Sequence, residues 1–209
     1  MEADLDVAKF DTIAAVSSAL VRLLTDARPS FSLAPELQVE LVDPASIDKG
    51  VSGGVGVSIC MYRINLNGST RNLPRRVAPD GRIYGAPLPL DLYYLLTAWT
   101  KENAVAMQHS LLGWAMRVLH ETPILPALLL NEYAPDNPPV RSLDTVEIAF
   151  DPLALQDWLG VWDKLKPKLP TSVTYIARRV TIESDLEFVE AGPVQTRSFE
   201  RAAVLGGGQ

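Results

Sequence analysis

LPLDLYYLLTAW, residues 88–99, puts Leu88, Leu90, Leu92, Tyr94, Leu96 and Ala98 at every second position. That is the period of a pleated strand, whose side chains alternate between two faces, and not the 3.6-residue period of a helix. A strand this long needs a partner, and VGVSICMYRI at 55–64 supplies one. It is rich in β-branched residues, with Val55, Val57, Ile59 and Met61 on one face and Cys60, Tyr62 and Ile64 partly on the other. Apolar groups on both faces predict a central strand covered on each side.

Between these runs lies a Pro-, Gly- and Arg-rich insert, Asn65 to Pro87, with Arg71, Arg75, Arg76 and Arg82 against a single acid, Asp80. The insert carries +3, so the rest of the chain carries −9 to reach the overall −6. Compact domains seldom keep a structureless loop beyond about 12–15 residues unless it is functional or disordered. Arginine suits bidentate recognition of carboxylates as well as phosphates. With no aromatic residue in the basic part, Arg71 to Arg82, to stack bases, the insert reads as a protein-docking element and not a grip for single-stranded nucleic acid.

Outward from this centre, a helix with Asp6 as N-cap is predicted to run to about Arg28, just before Pro29, with Phe10, Ile13, Ser17, Leu20 and Leu24 on one face. Leu37 to Val42 alternates as a strand and meets Asp43-Pro44, a turn. The loop Asp48 to Gly56 follows. Thr100 is the expected cap of a second helix reaching about His120 before Pro123, with Gly113 in its middle. Glycine there costs about 1 kcal/mol against alanine, so the close approach of another backbone is its expected reason.

Leu128 to Tyr133, between prolines, is read as a short edge strand, and Leu143 to Phe150 as another strand. Asp151-Pro152 has the form of an N-cap with proline at the first helical position, opening a helix with Leu155, Trp158, Leu159, Trp162 and Leu165 that Pro167 stops. Ser172 to Glu187 is the last strand pattern. Its apolar phase moves from Val173, Tyr175 and Ala177 to Val180 and Ile182, which places a β-bulge or a break at Arg178-Arg179. Glu183, Asp185 and Glu187 then share one strand face, an acidic strip facing solvent or a neighbouring subunit's arginines.

These elements add up to an α/β or α+β domain, a mixed, mostly antiparallel sheet of about five or six strands covered by about three helices. Residues 1–190 form the domain and 191–209, ending LGGGQ, a flexible tail. A pI near 5.0 argues against a general nucleic-acid binder. The single cysteine, Cys60, rules out an internal disulfide and multi-thiolate metal sites and fits a reducing compartment. The acidic start MEADLDVAKF lacks the basic, then apolar, layout of a signal peptide, and no apolar run reaches the roughly 20 residues of a membrane span.

Catalytic patterns find little support. His109 and His120, about three turns apart on one helix, cannot share a metal, and no ligand spacing accompanies them. Ser110 lies in no nucleophile elbow, Cys60 reads as a small core residue, and VSGGVGVS (51–58) lacks the lysine of a phosphate-binding loop and precedes a strand where such a loop would precede a helix. Trp158 and Trp162, one turn apart, read as core.

The order FDTIAAVSSALVRLL (10–24), MYRI…RNLPRR (61–76), LPLDLYYLLTAW (88–99) and LLGWAMRVL (111–119), then LQDWLGVWDKL (155–165) and SVTYIARRVTI (172–182), resembles the tail-terminator, or cap, proteins of phage-tail-like contractile injection systems. The resemblance implies a non-enzymatic protein without cofactor or metal, working as a ring, a homohexamer. Such a ring closes the baseplate-distal end of the inner tube and engages the sheath, with tube protein, sheath protein and further copies of itself as partners and neither nucleic acid nor membrane among them. It would sit in the bacterial cytoplasm within the assembled particle, or be released with it. By position, Arg71, Asn72, Arg75 and Arg76 match the family's RN-containing loop. The expected interface set is therefore Arg71, Asn72, Arg75, Arg76, Arg82, Glu183, Asp185 and Glu187. Another adaptor of the particle, for example on the baseplate side, and a small-molecule enzyme are the alternatives.

Overall fold

The computed structural model describes residues 10–28, 36–70, 73–78, 80–101, 104–135, 138–140, 144–154, 156–157, 159–160 and 171–188. Among these, α1 (Thr12–Asp26) leads to β1 (Gln38–Leu41), β2 (Gly56–Leu66), β3 (Arg76–Val77), β4 (Ile83–Tyr84) and β5 (Leu88–Trp99). Then follow α2 (Val105–Glu121), β6 (Ile124–Pro126), α3 (Ala127–Asn131), β7 (Thr145–Phe150) and β8 (Ser172–Ile182). Six strands form one sheet in the order β1-β2-β5-β8-β7-β6, while β3 and β4 pair separately. All pairings are antiparallel except β1 with β2. The expected class, a mixed and mostly antiparallel sheet with helices against it, is the observed one.

The 88–99 run is the middle of this sheet, pairing with β2 on one side and β8 on the other. Its even positions from Leu90 to Ala98 are buried against the residues of α1 and α2 that form the core with Val57, Ile59 and Tyr175. Among the described residues the opposite face is covered more thinly. There Ile47, from the 3-10 helix Pro44–Lys49, packs with Cys60 and Leu95. That 3-10 helix replaces part of the expected plain loop because the Asp43 carboxylate accepts the Ala45 N–H at 2.7 Å, capping the turn. Tyr94, fully buried, shares a 2.9 Å hydroxyl hydrogen bond with Ser17, which ties α1 to the central strand, and burial pushes the Tyr94 hydroxyl's pKa upward.

Two bulges set which side chains reach the core. Leu90 pairs with Val180 but Leu92 with Ala177, so Arg178 and Arg179 together face Asp91. This is the phase change legible at Arg178-Arg179, and Arg179 takes φ 65° to make it. On β2, Met61 pairs with Tyr94 and Arg63 with Tyr93, leaving Tyr62 as the extra residue. Ile64 thereby returns to the Val57/Ile59 face, opposite Leu92, and not to the Cys60 face expected from simple alternation. The parallel β1–β2 contact depends on Gly56, where a Cβ would fall inside the Gln38 carbonyl group.

Other expectations need correction. α1 begins at Thr12 behind Asp11, Phe10 is exposed rather than on the core face, and Asp6 lies outside the described residues. α2 begins at Val105 with Ala104 at its N-cap position, so Thr100 is no cap. Gly113 is exposed, and a Cβ there would meet no described atom within 4 Å, so no backbone approach accounts for it. Leu128 to Tyr133 is not a strand. β6 precedes it, and Ala127–Asn131 forms α3, as suits a run of alanine and leucine with no β-branched residue. Asn131 then closes the turn, its side chain exchanging hydrogen bonds of 2.9 and 3.0 Å with the Val140 backbone. The helix expected after Asp151-Pro152, including Trp158 and Trp162, lies largely outside the described residues, as does the 191–209 tail.

Candidate functional site

The described residues of the long insert are held at both of its ends. At its start, the buried Asn67 donates from Nδ2 to Asp91 at 2.8 Å and accepts from the backbone of Ser69 and Thr70 at 3.0 Å each, with the Thr70 hydroxyl at 2.9 Å. This fixes the 3-10 turn Gly68–Thr70 at the end of β2. Further on, β3 and β4 form a small hairpin, Arg76 opposite Tyr84 and Val77 opposite Ile83. In its turn, Asp80 accepts from the Arg82 N–H at 3.0 Å and pairs with its guanidinium at 2.7 Å. The Arg82 backbone and side-chain hydrogen bonds hold Asp80 below the usual carboxylate range, and Asp80 in turn raises Arg82.

A second piece of chain completes the arm. After β8 ends at Ile182, residues 183–188 run beside β4: Gly85 N–H donates to Leu186 O at 2.9 Å, Phe188 N–H to Ile83 O at 2.6 Å, and Glu187 bridges to Tyr84. Two arginines bind the pieces through their side chains. Arg75 stacks over the Phe188 ring at 3.5 Å, and Arg76 lies 4.2 Å over Tyr84 with its Nε 3.5 Å from Glu183. The Glu183 side chain is 1% exposed and that of Arg76 17%, so this ion pair is an interior feature of the arm.

The expected interface residues therefore separate. Glu183, Asp185 and Glu187 do not form a strip on the last strand, since the chain leaves the sheet at Ile182 and period-two alternation ends with it. Glu183 is buried on Arg76 of its own chain, while Asp185 and Glu187 are exposed. Arg82 is engaged by Asp80, and Arg75, exposed, makes no ion pair among the described residues. Arg71 and Asn72 lie outside the described residues. The residues missed from sequence are Asn67 and Phe188. The Asn-Gly pair at 67–68 was a signal for the first; Phe188 carried none, because its contact is set by how the chain after β8 returns to the insert.

Where the arm crosses the sheet it leaves an open cleft of about 360 Å³, lined by Thr70, Arg75, Arg76, Asp144, Arg179 and Glu183 among others. Arg179 is the bulge residue at φ 65°, a left-handed conformation usually occupied by glycine. Cys60 is buried, with its thiol pushed up to about 11, and Ser110 donates to Ala106 O as an ordinary helix-face hydroxyl. Among the described residues no helix is long and apolar enough to cross a membrane.

The overall fold recurs among known proteins. The family described as the Pvc16 N-terminal domain matches residues 15–196. The chain belongs to that family. Its membership is accompanied by structural likeness to the sheath/tube terminator, in its extended state, of the extracellular contractile injection system PVC. That comparison has a TM-score of 0.60 and 16% identity over 93% of this chain and 65% of the other. The tube-terminating cap of the anti-feeding prophage is similar at TM-score 0.57 and 15% identity, over 89% of this chain and 60% of the other. This chain thus spans less than two thirds of the length of either terminator. Among curated proteins, none matches. The chain has the fold of these two terminators, and the mixed, mostly antiparallel α+β fold expected from the sequence is the one observed.

Proposed function

We propose that this chain is a structural cap. It forms an oligomeric ring, a hexamer, at the baseplate-distal end of the inner tube of a contractile injection particle, and it engages the sheath there. What supports the reading is the fold it has in common, over nearly its whole length, with a sheath/tube terminator. The particle is assembled in the bacterial cytoplasm and can be released with the cap in place. The role is mechanical, with no bond made or broken by the protein.

The arm is the docking element. Of the expected contact residues, Arg75 is the cation best placed to meet an acidic partner surface, because it has no ion pair of its own among the described residues. Arg82 and the exposed Asp185 and Glu187 flank the same arm, and Arg71 and Asn72 belong to the proposed contact set by position in the sequence. Val77, Leu186 and Leu88 add exposed apolar surface beside the arginines, the mixture typical of protein interfaces.

The test is to delete the gene and examine particles by electron microscopy. Uncapped, length-irregular or missing sheathed tubes are the expected result, and particles of normal length and normal end density would refute it. In a complemented strain, Arg75→Glu should impair capping while the purified variant folds normally. Arg76→Glu is the poorer probe, since it also breaks the internal pair with Glu183.

A further inference from the structure

Three arginines line the cleft between arm and sheet, and they come from two different elements. Arg75 and Arg76 belong to the arm, Arg179 to the bulge of β8. Pairing of Leu88 with Ile182 and of Leu90 with Val180 brings the root of the arm against the end of β8. Arg76 is already neutralised by Glu183. Arg75 and Arg179 are exposed and make no ion pair among the described residues.

An arginine at 179 does not suit the backbone there. Glycines aside, Arg179 alone among the described residues has a positive φ, 65°, which glycine or asparagine would adopt with less strain. Backbone strain of this kind tends to persist where a side chain is needed in a set place, and bulges re-aim side chains. Arg178 stands opposite Glu147 of β7, while its neighbour Arg179 lines the cleft. Arg75 is held as well. Its guanidinium lies 3.5 Å over the Phe188 ring, a contact that restrains it without neutralising it.

The charge and the walls of the cleft indicate what it takes. Three arginines against Asp144 and Glu183 leave +1 on the described lining, which matches a single carboxylate. A phosphate group carries about −1.5 to −2 and would sit beside two acids with part of its charge unmatched. Leu73, Pro74 and Pro87 add apolar wall, against which the methylene groups of an acidic side chain lose water. At about 360 Å³ the cleft is open and does not enclose a free small acid. A side chain presented by a protein needs no enclosure, because the surrounding contact supplies the rest of the binding.

We propose that this cleft receives one carboxylate side chain of a different protein on which the arm docks, held between Arg75 of the arm and Arg179 of the sheet. The proposal rests on the docking reading above and deepens it, adding Arg179 to the contact set. Paired arginines recognise a carboxylate through parallel N–H donors, and an acid bound by both fixes the arm against the sheet. The arm's own exposed acids, Asp185 and Glu187, do not suit the role in a second copy. They would pair arm with arm about a twofold axis, which builds a dimer and no ring.

Two measurements on assembled particles test the proposal. In the complemented deletion strain, Arg179→Gly relieves the backbone and removes the guanidinium. The purified variant should have a Tm no lower than wild type, while the amount of cap retained on purified particles falls roughly tenfold, as for loss of a charge-assisted contact. Combined with Arg75→Gln, the loss should be smaller than the product of the two single effects, because both arginines hold one group. Wild-type retention in Arg179→Gly, or fully independent losses in the double variant, overturns the proposal and leaves the cap reading standing. Should Arg179→Gly fold poorly, Arg179→Asn, which tolerates the same φ, takes its place. In the second measurement, Arg179→Lys particles are treated with a carbodiimide, which activates a carboxylate so that the lysine amine condenses with it to an amide, the displaced oxygen leaving in the urea by-product. Mass spectrometry should then join residue 179 to an Asp or Glu of another particle protein. No link, or links only to Asp144 or Glu183 of the same chain or to another copy of it, overturns the proposal. Wild-type protein absent from particles overturns the cap reading as well.

Discussion

Removing the arginine of the interior ion pair is the sharpest perturbation of the arm. In Arg76→Ala the Glu183 carboxylate, 1% exposed, loses the cation 3.5 Å away, and Tyr84 loses its stacked guanidinium. Truncating one member of a buried pair generally costs about 3–5 kcal/mol, because the remaining charge keeps its desolvation penalty. Here Arg76 is 17% exposed, and the contact is longer than the 2.7–2.9 Å of a strong charge-assisted hydrogen bond. The cost should therefore lie at or below the low end, about 2–3 kcal/mol. For a domain of this size that lowers Tm by roughly 5–10 °C. Calorimetry of wild type, Arg76→Ala, Glu183→Leu and the double variant gives a cycle. The double variant should lose less than the sum of the singles, since with both charges gone no buried group is left without its counter-ion. Additive effects, or a cost under about 0.5 kcal/mol for Arg76→Ala, as for an exposed pair, would refute an interior pair holding the arm together.

Gly113→Ala should stabilise the protein by about 1 kcal/mol in chemical denaturation, because the exposed helical site has room for the methyl group and glycine is the weaker helix former. Gly56→Ala should do the opposite, costing about 3 kcal/mol or more and lowering soluble yield, since its Cβ would collide with the Gln38 backbone and part β1 from β2. The Cys60 thiol, pushed from 9.0 to about 11 chiefly by burial, should alkylate at pH 8 about a hundredfold more slowly than in the unfolded chain. The folded state holds that proton more tightly. Its contribution to stability is thus complete below pH 9 and lost as pH rises toward 11, which urea midpoints taken across that range would reveal.

The sequence alone determined the central strands and the phase change in β8, because side-chain period and a shift in that period are local properties of the chain. Leu88–Trp99 reads directly as a strand, and the bulge at Arg178-Arg179 stands where the apolar positions change from odd to even. The terminator resemblance was legible for the same reason, as an order of such runs. The bulge at Tyr62 was not, because Met61, Tyr62 and Ile64 are all apolar and no break in pattern marks the extra residue. α3 was misread as a strand since a run of five residues is too short for period to separate helix from strand, and packing decided it.

Only the tertiary structure decided what the arginines meet. The sequence separated an insert of charge +3 from an acidic remainder and marked Glu183, Asp185 and Glu187 as partners for arginines. It could not place those acids within the chain's own reach, because Arg76 and Glu183 are brought together by β5 and β8 pairing over a long span of chain. Charge is a property of composition, while the sign that a surface presents to a partner is what remains after the fold has paired its own ions. Folding encloses Arg76 and Glu183 and ties Arg82 to Asp80, leaving Arg75 exposed and without an ion pair among the described residues.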